Sequence, residues 1–194
     1  MKPFVKKQEA VMKKTAIFLA PGFEEGEALT VADILRRAGI GCELVGFSPV
    51  VGGAHQMKVQ CDRVLDDIPA DGGYDMVILP GGLPGAANLR DSDRLMEILK
   101  AEDRAGKFVA AICAAPIALE RAGLLDGKNY TAYVGYDKKI AAGHYREEIV
   151  VRDGNLITSR GPATAYAFGY ALAEALGADT TVLREKMLYN LFGR

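Results

Sequence analysis

Short apolar runs alternate with amphipathic stretches along this chain, and most of the runs stop at a loop rich in glycine, proline or alanine. Residues 15–19 (T-A-I-F-L) lead through A-P-G-F into a helical pattern over 24–38. In that pattern Ala28, Val31, Ala32 and Leu35 share one face, and Gly39 suits the C-terminus. Residues 42–47 read as a second strand and 50–62 as a glycine-turned hairpin or arm. The run 76–79 (M-V-I-L) stops at P-G-G, with a helix expected over 91–105. The run 108–112 (F-V-A-A-I) stops at C-A-A-P, with a helix to Ala122. Residues 129–133 read as a weaker strand, 147–159 as a hairpin about Asp153-Gly154-Asn155, and 164–176 and 180–190 as helices. Strands and helices in alternation, through short connections, specify an α/β fold. A mostly parallel sheet carries helices on both faces, with right-handed crossovers.

Ligands of such sheets bind beyond the carboxyl ends of the strands. That rule gathers A-P-G-F-E-E-G-E, L-P-G-G and I-C-A-A-P at one edge. Cys113 stands where a buried strand turns into a helix. Unpaired N–H groups and the positive end of the helix dipole there are expected to lower its pKa below the free value of about 8.5. Ala110, Ala111, Ala114 and Ala115 leave room for a sharp turn, and Pro116 is tolerated early in a helix. An inert core cysteine fits the same spacing. Gly81 and Gly82 can turn an N–H into the cleft, with Ala114 as a second oxyanion donor, although a plain turn explains P-G-G equally well. Glu24, Glu25 and Glu27 crowd the first helical turn, where acids complement the dipole. Any one of them, held beside a thiolate, would have its pKa raised and could donate a hydrogen bond to sulfur. Neither His55 nor His144 adjoins Cys113 in sequence, and Cys42 and Cys61 read as core.

Composition narrows the function classes. With 194 residues, 49% of them hydrophobic, the chain suits one domain of residues 13–194 behind an N-terminal extension of residues 1–12, with Met12 as a second possible start. The net charge of −1 offers no nucleic-acid patch. No apolar run reaches the length of about 20 residues that spans a membrane, and Met1-Lys2-Pro3-Phe4 does not open like a signal peptide. Three cysteines without C-x-x-C spacing point to a reducing cytoplasm and to no zinc or other metal site. No G-x-x-x-x-G-K phosphate loop is present.

Four segments in order, A-P-G-F-E-E-G-E, Y-D-M-V-I-L-P-G-G-L-P-G-A-A-N-L, V-A-A-I-C-A-A-P and L-I-T-S-R-G-P-A-T-A, resemble the ThiJ/PfpI superfamily, in the branch of the DJ-one proteins and their bacterial relatives. The resemblance runs from Lys13 to the C-terminal helix. It implies a flavodoxin-like αβα sandwich, a homodimer, no cofactor, and a reactive cysteine on a nucleophile elbow at Cys113. It further implies that Glu27 is the protonated glutamate bonded to that cysteine and that Gly82 and Ala114 supply the oxyanion amides. Glu24, Gly81 and Pro162 belong to the pocket. Tyr133 stands where one branch carries a histidine, which weakens a histidine-assisted mechanism. Ala114 replaces the histidine that follows the cysteine in the protease branch, which argues against proteolysis. The activity implied is a glutathione-independent glyoxalase or deglycase acting on glyoxal, methylglyoxal or their adducts through a Cys113 hemithioacetal. The alternative is a redox sensor or stress-response chaperone oxidised at Cys113 to sulfinate. A hydrolase or thiamine-pathway role stands further behind.

Overall fold

The structure, a computed structural model, describes residues 12–191. The expected extension, apart from an exposed Met12, therefore lies outside the described residues. Seven strands form the main sheet: β1 (Lys14–Leu19), β2 (Gly41–Gly46), β5 (Arg63–Val64), β6 (Met76–Leu79), β7 (Phe108–Ile112), β10 (Val150–Asp153) and β11 (Leu156–Ser159). Their order is β10-β11-β7-β6-β1-β2-β5, parallel throughout except for the β10–β11 hairpin. β3 (Val50–Gly52) and β4 (Lys58–Gln60) pair antiparallel as the expected arm. β8 (Asn129–Tyr130) and β9 (His144–Tyr145) pair with each other away from the main sheet. The strand expected over 129–133 is thus cut to two residues.

Every central strand is apolar on both faces, as a sheet covered on two sides requires. Because side chains alternate along a strand, each run feeds two cores. Ala16 and Phe18 of β1, Val77 and Leu79 of β6, and Val109 and Ala111 of β7 face one cluster. It is completed by Leu89, Leu95, Ile98, Leu99 and Leu119. These come from α2 (Gly85–Asp91), α3 (Asp93–Arg104) and α4 (Pro116–Arg121). Ile17, Leu19, Met76, Ile78, Ala110 and Ile112 face the other cluster. There they meet α1 (Glu25–Arg37) and α5 (Ala165–Ala175), with α6 (Thr181–Lys186) following. The result is the helix–sheet–helix sandwich that the alternation demands.

Three helix boundaries differ from the sequence expectation. The helix placed over 91–105 is α3 alone, because Ser92 caps it by accepting from the Leu95 N–H at 3.2 Å. Before it lies α2, hidden in a segment whose glycine and prolines read as loop. The terminal helix ends at Lys186. Leu188 then turns left-handed at φ 58° before a single 3-10 turn over Tyr189–Leu191.

The order of strands positions the site. β1 lies between β2 and β6, so the chain reverses its direction of travel across the sheet at β1–β6, and a crevice opens above their carboxyl ends. Backbone bonds lace the two loops there: Glu24 N–H donates to Gly81 O at 2.9 Å and Gly85 N–H to Gly22 O at 3.1 Å.

The packing of α1 on α5 depends on Gly169, since a Cβ there would lie 2.8 Å from Ile34 Cδ1 and 3.3 Å from Ile34 Cβ. Replacing it by leucine forces the helices apart, and overpacking of this kind costs about 1–3 kcal/mol. Gly169→Leu is expected to lower the urea unfolding midpoint with little change in the slope of the transition.

Candidate active site

Cys113 follows β7 directly with φ 64°, one of three non-glycine residues among those described in the left-handed region. Such a conformation costs about 1–3 kcal/mol and persists only where the surroundings over-determine it. Here they do. The Cys113 N–H donates to Ser159 O at 3.0 Å, and its carbonyl accepts from the Tyr133 N–H at 2.9 Å. The turn brings the thiol close enough to the Glu27 carboxyl of α1 for each to shift the other's protonation. The backbone N–H groups of Ala114 and Gly82 favour the charged form of the sulfur.

Glu27 has no exposed surface. Its Oε2 accepts from the Gly81 N–H at 2.7 Å, and Oε1 has no hydrogen-bond partner among the described residues. Burial raises its pKa to about 7, against the opposing pull of the Gly81 and Cys113 hydrogen bonds and with a small contribution from the Glu24 charge. Of the three acids at the start of α1, this is the one the structure puts on the sulfur. Gly81 has to be glycine: a Cβ there would lie 2.6 Å from Cys113 Cβ, 2.9 Å from Glu27 Oε2 and 3.1 Å from Ala114 N. Its N–H serves Glu27, so the N–H aimed at sulfur from this loop is that of Gly82.

The simple drop in thiol pKa expected from the helix dipole is not what this geometry gives. Burial pushes the Cys113 thiol up first, then the Glu27 charge and its hydrogen bond, while the Ala114 and Gly82 N–H groups pull it down. The sequence argument weighed the dipole and not the depth of the turn, and α4 is only six residues long. Two groups in contact titrate as a pair, so a proton placed on Glu27 removes the charge that opposes a thiolate.

A cleft of about 500 Å3 opens over the sulfur, lined by Glu24, His55, Gly82, Cys113, Ala114, Tyr133, Tyr136 and Lys139 among others. Glu24 and Tyr133, expected in a pocket, line this cleft. Gly81 lies beneath the lining, on Glu27. Pro162 lines a neighbouring apolar depression that shares Tyr133 and Val134 with the cleft, not the cleft itself.

Three polar lining residues, His55, Tyr136 and Lys139, escaped the sequence reading. His55 arrives on the β3–β4 arm, whose backbone is pinned by Gly22 N–H to Gly52 O at 2.8 Å and Ala54 N–H to Phe23 O at 2.8 Å. Glu25 anchors it, accepting from the His55 N–H at 2.8 Å and contacting Nδ1 at 3.0 Å. Burial acts to raise the Glu25 carboxyl, yet the hydrogen bonds from its own backbone, His55 and Met57 hold it below the usual carboxylate range. The bond to Glu25 and the Glu24 and Glu25 charges raise His55. Polar atoms of Glu24, Glu25 and His55 lie within 4.8 Å of one another, a set that could hold a cation, but those of Glu25 are already engaged in securing the arm. Tyr136 and Lys139 enter on the turn that follows Gly135 (φ 84°). The scarcity of histidine marked His55, but nothing in its spacing from Cys113 did. His144, in β9, is exposed and not among the residues of the cleft.

The Glu27 shift makes a stability prediction. The folded pKa, about 7, lies above the ordinary value of 4.5, so the folded chain holds an extra proton between them and unfolding becomes easier as pH rises through that window. At about 1.4 kcal/mol per unit, the loss from pH 5 to 8 is on the order of 3 kcal/mol. Urea unfolding across that range is expected to show the slope in the wild type and a flattened one in Glu27→Gln.

Residues 13–175 match the model of the DJ-1/PfpI family. Drosophila melanogaster protein dj-1beta is 38% identical over 179 residues, covering 88% of this chain and 92% of that one. Its crystal structure superposes with a TM-score of 0.87 at 36% identity, over 92% of this chain and 98% of that one. The Danio rerio Parkinson disease protein 7 homolog is 40% identical over 173 residues, covering 86% of this chain and 92% of its own. A Caenorhabditis elegans relative named glutathione-independent glyoxalase DJR-1.2 is 32% identical over 170 residues, covering 86% and 90%. With a family match over most of its length and relatives this similar, the chain belongs to the DJ-1/PfpI family.

Proposed function

We propose that the protein is a cofactor-independent glyoxalase or deglycase, acting on glyoxal, methylglyoxal or their early adducts through Cys113. The observation that carries this reading is the buried Glu27 carboxyl, with a pKa of about 7, beside a sulfur that lines an open cleft. General acid–base work at neutral pH calls for a group poised there. With the proton on Glu27, the Cys113 thiolate adds to an aldehyde carbon. The carbonyl electron pair passes to oxygen, which the Gly82 and Ala114 N–H groups stabilise as oxyanion donors. Glu27 then gives its proton to that oxygen, leaving a hemithioacetal and a carboxylate placed to take the next proton. A cleft of about 500 Å3 also admits an aldehyde adduct carried on a larger amine. The C. elegans relative that bears the glyoxalase name supports the same chemistry.

A second reading, an oxidant sensor, rests on the same contact. The neutral Glu27 carboxyl can donate to an oxygen on sulfur and hold oxidation at sulfinate. A chaperone role belongs with this reading. Self-association as a homodimer and a cytoplasmic site of action are part of the proposal. The described cysteines are all unpaired, as a reducing compartment favours, and no helix among the described residues is long and apolar enough to cross a membrane.

Cys113→Ser is expected to abolish methylglyoxal consumption while keeping the wild-type circular dichroism. Glu27→Gln, which keeps shape but cannot shuttle a proton, should lower kcat by about 10²–10⁴-fold. Undiminished turnover in the serine variant would remove the mechanism. Negligible wild-type turnover, together with a two-oxygen mass gain on Cys113 after mild peroxide, would replace it with the sensor.

A further inference from the structure

The cleft contains a proton carrier that the chemistry above leaves unused. Tyr136 is 7% exposed and lines the cleft together with Cys113. Its ring is clamped edge-on by Tyr133, centroids 6.5 Å apart at 80°, and the Lys139 ammonium sits 4.3 Å above its centroid. The backbone around it is tied down: Tyr136 N–H donates to Tyr133 O at 3.0 Å, and Tyr133 N–H to Cys113 O at 2.9 Å. The orientation of the ring is therefore coupled to the turn that holds the sulfur. Among the described residues no hydrogen bond reaches the Tyr136 hydroxyl. The hydroxyl is not a buried orphan of the kind found at Glu27 Oε1, so its oxygen reaches solvent. A solvent-reaching hydroxyl with no partner in the fold, on a residue that lines a reactive cleft, is free to bond to a ligand bound there.

We propose that the Tyr136 hydroxyl is a catalytic proton carrier between the two neighbouring oxygens of a 2-oxoaldehyde bound to Cys113, with the Lys139 ammonium stabilising the phenolate it passes through. The inference rests on the glyoxalase reading and adds the step that reading lacks. The hemithioacetal carries a hydroxyl on C1 and a carbonyl on C2. Glu27 carboxylate removes the C1 proton. The C–H electron pair becomes the C1=C2 bond, and the C2 carbonyl pair moves to O2, which takes the Tyr136 proton. The phenolate then removes the O1 proton, that O–H pair forms C1=O, and the C1=C2 pair takes the Glu27 proton at C2. Cys113 is left as a 2-hydroxy thioester, which water cleaves to the 2-hydroxy acid and the thiol. Each side chain ends as it began. Burial, then the nearby sulfur, push the Tyr136 phenol up, so it starts the cycle as the donor that the sequence of steps requires. An ammonium over an aromatic face is held electrostatically, and it gains as that ring becomes anionic.

The test is steady-state turnover of methylglyoxal by the full chain, beside the rate of Cys113 alkylation by iodoacetamide. Tyr136→Phe keeps the ring and is expected to lower kcat by about 10²–10³-fold, with KM and the alkylation rate changed by less than about threefold. Lys139→Gln is expected to lower kcat several-fold alone and to add nothing in the Tyr136→Phe background, because both act on one phenolate. A Tyr136→Phe enzyme with wild-type kcat, beside an inactive Cys113→Ser, overturns the assignment and leaves the glyoxalase reading intact. So does a kcat loss matched by an equal loss of alkylation rate, which would make the phenol a support for the sulfur. Lys139 is exposed and its replacement leaves the core intact, so an unchanged kcat in Lys139→Gln overturns the proposal even if Tyr136→Phe does not fold. Turnover that survives Cys113→Ser defeats the underlying reading itself.

Discussion

The hydrogen bond from the Gly81 N–H to Glu27, 2.7 Å long and without solvent, ties together everything that matters in this site. It joins the loop after β6 to the first turn of α1. It also fixes one carboxyl oxygen, Oε2, and leaves Oε1 with no hydrogen-bond partner among the described residues. A buried carboxylate so placed would have a single backbone donor, too little to offset its desolvation, and burial therefore favours the proton. The site's electrostatics thus begin with a missing partner. A second donor at Oε1 would stabilise the carboxylate and deny the thiolate its neutral neighbour.

Geometry at the neighbouring strand enforces the same arrangement. The left-handed turn at Cys113 is affordable because Ser159 and Tyr133 hold both of its peptide groups, and because Gly81 offers no Cβ to collide with it. These three supports come from β11, from the segment after β8 and from the loop after β6. The reactive turn is therefore a property of the assembled sheet edge and not of the segment V-A-A-I-C-A-A-P alone. Local sequence places small residues there; the fold decides that a thiol, a carboxyl and two amides converge.

How much of this could be read from sequence follows the range of the interactions. The sheet was legible because β1, β6 and β7 are continuous apolar runs stopped by glycine, proline or alanine, a local pattern. Glu27 could be set above Glu24 and Glu25 only through family resemblance, since all three suit a helix N-terminus. The direction of the Cys113 shift was misjudged because burial, the largest contribution, depends on long-range packing. His55 and Tyr136 were missed for the same reason. One reaches the cleft on an antiparallel arm pinned to Phe23, the other on a turn whose direction is set by a left-handed Gly135. Helix α2 was hidden by its own residues, because Pro84 and Gly85 read as loop while serving as the cap and first position of a helix.

The two walls of the cleft then divide the work. On the α1 side, Glu24, Glu25 and His55 form a compact ionic cluster whose hydrogen bonds are directed inward, to the arm. That wall is structural: it keeps the β3–β4 hairpin down and closes one side of the opening. On the far side stand two tyrosine rings and an ammonium that forms no ion pair with any described residue and rests on one of those rings. A substrate oxygen meets committed donors and acceptors on the first wall and an uncommitted hydroxyl on the second. Proton transfer needs a group whose hydrogen-bonding capacity has not been spent within the fold, and on that criterion the floor offers Glu27 while the far wall offers Tyr136. Cys113 shares that cleft with Tyr136 and perturbs both groups, so one bound substrate can engage all three.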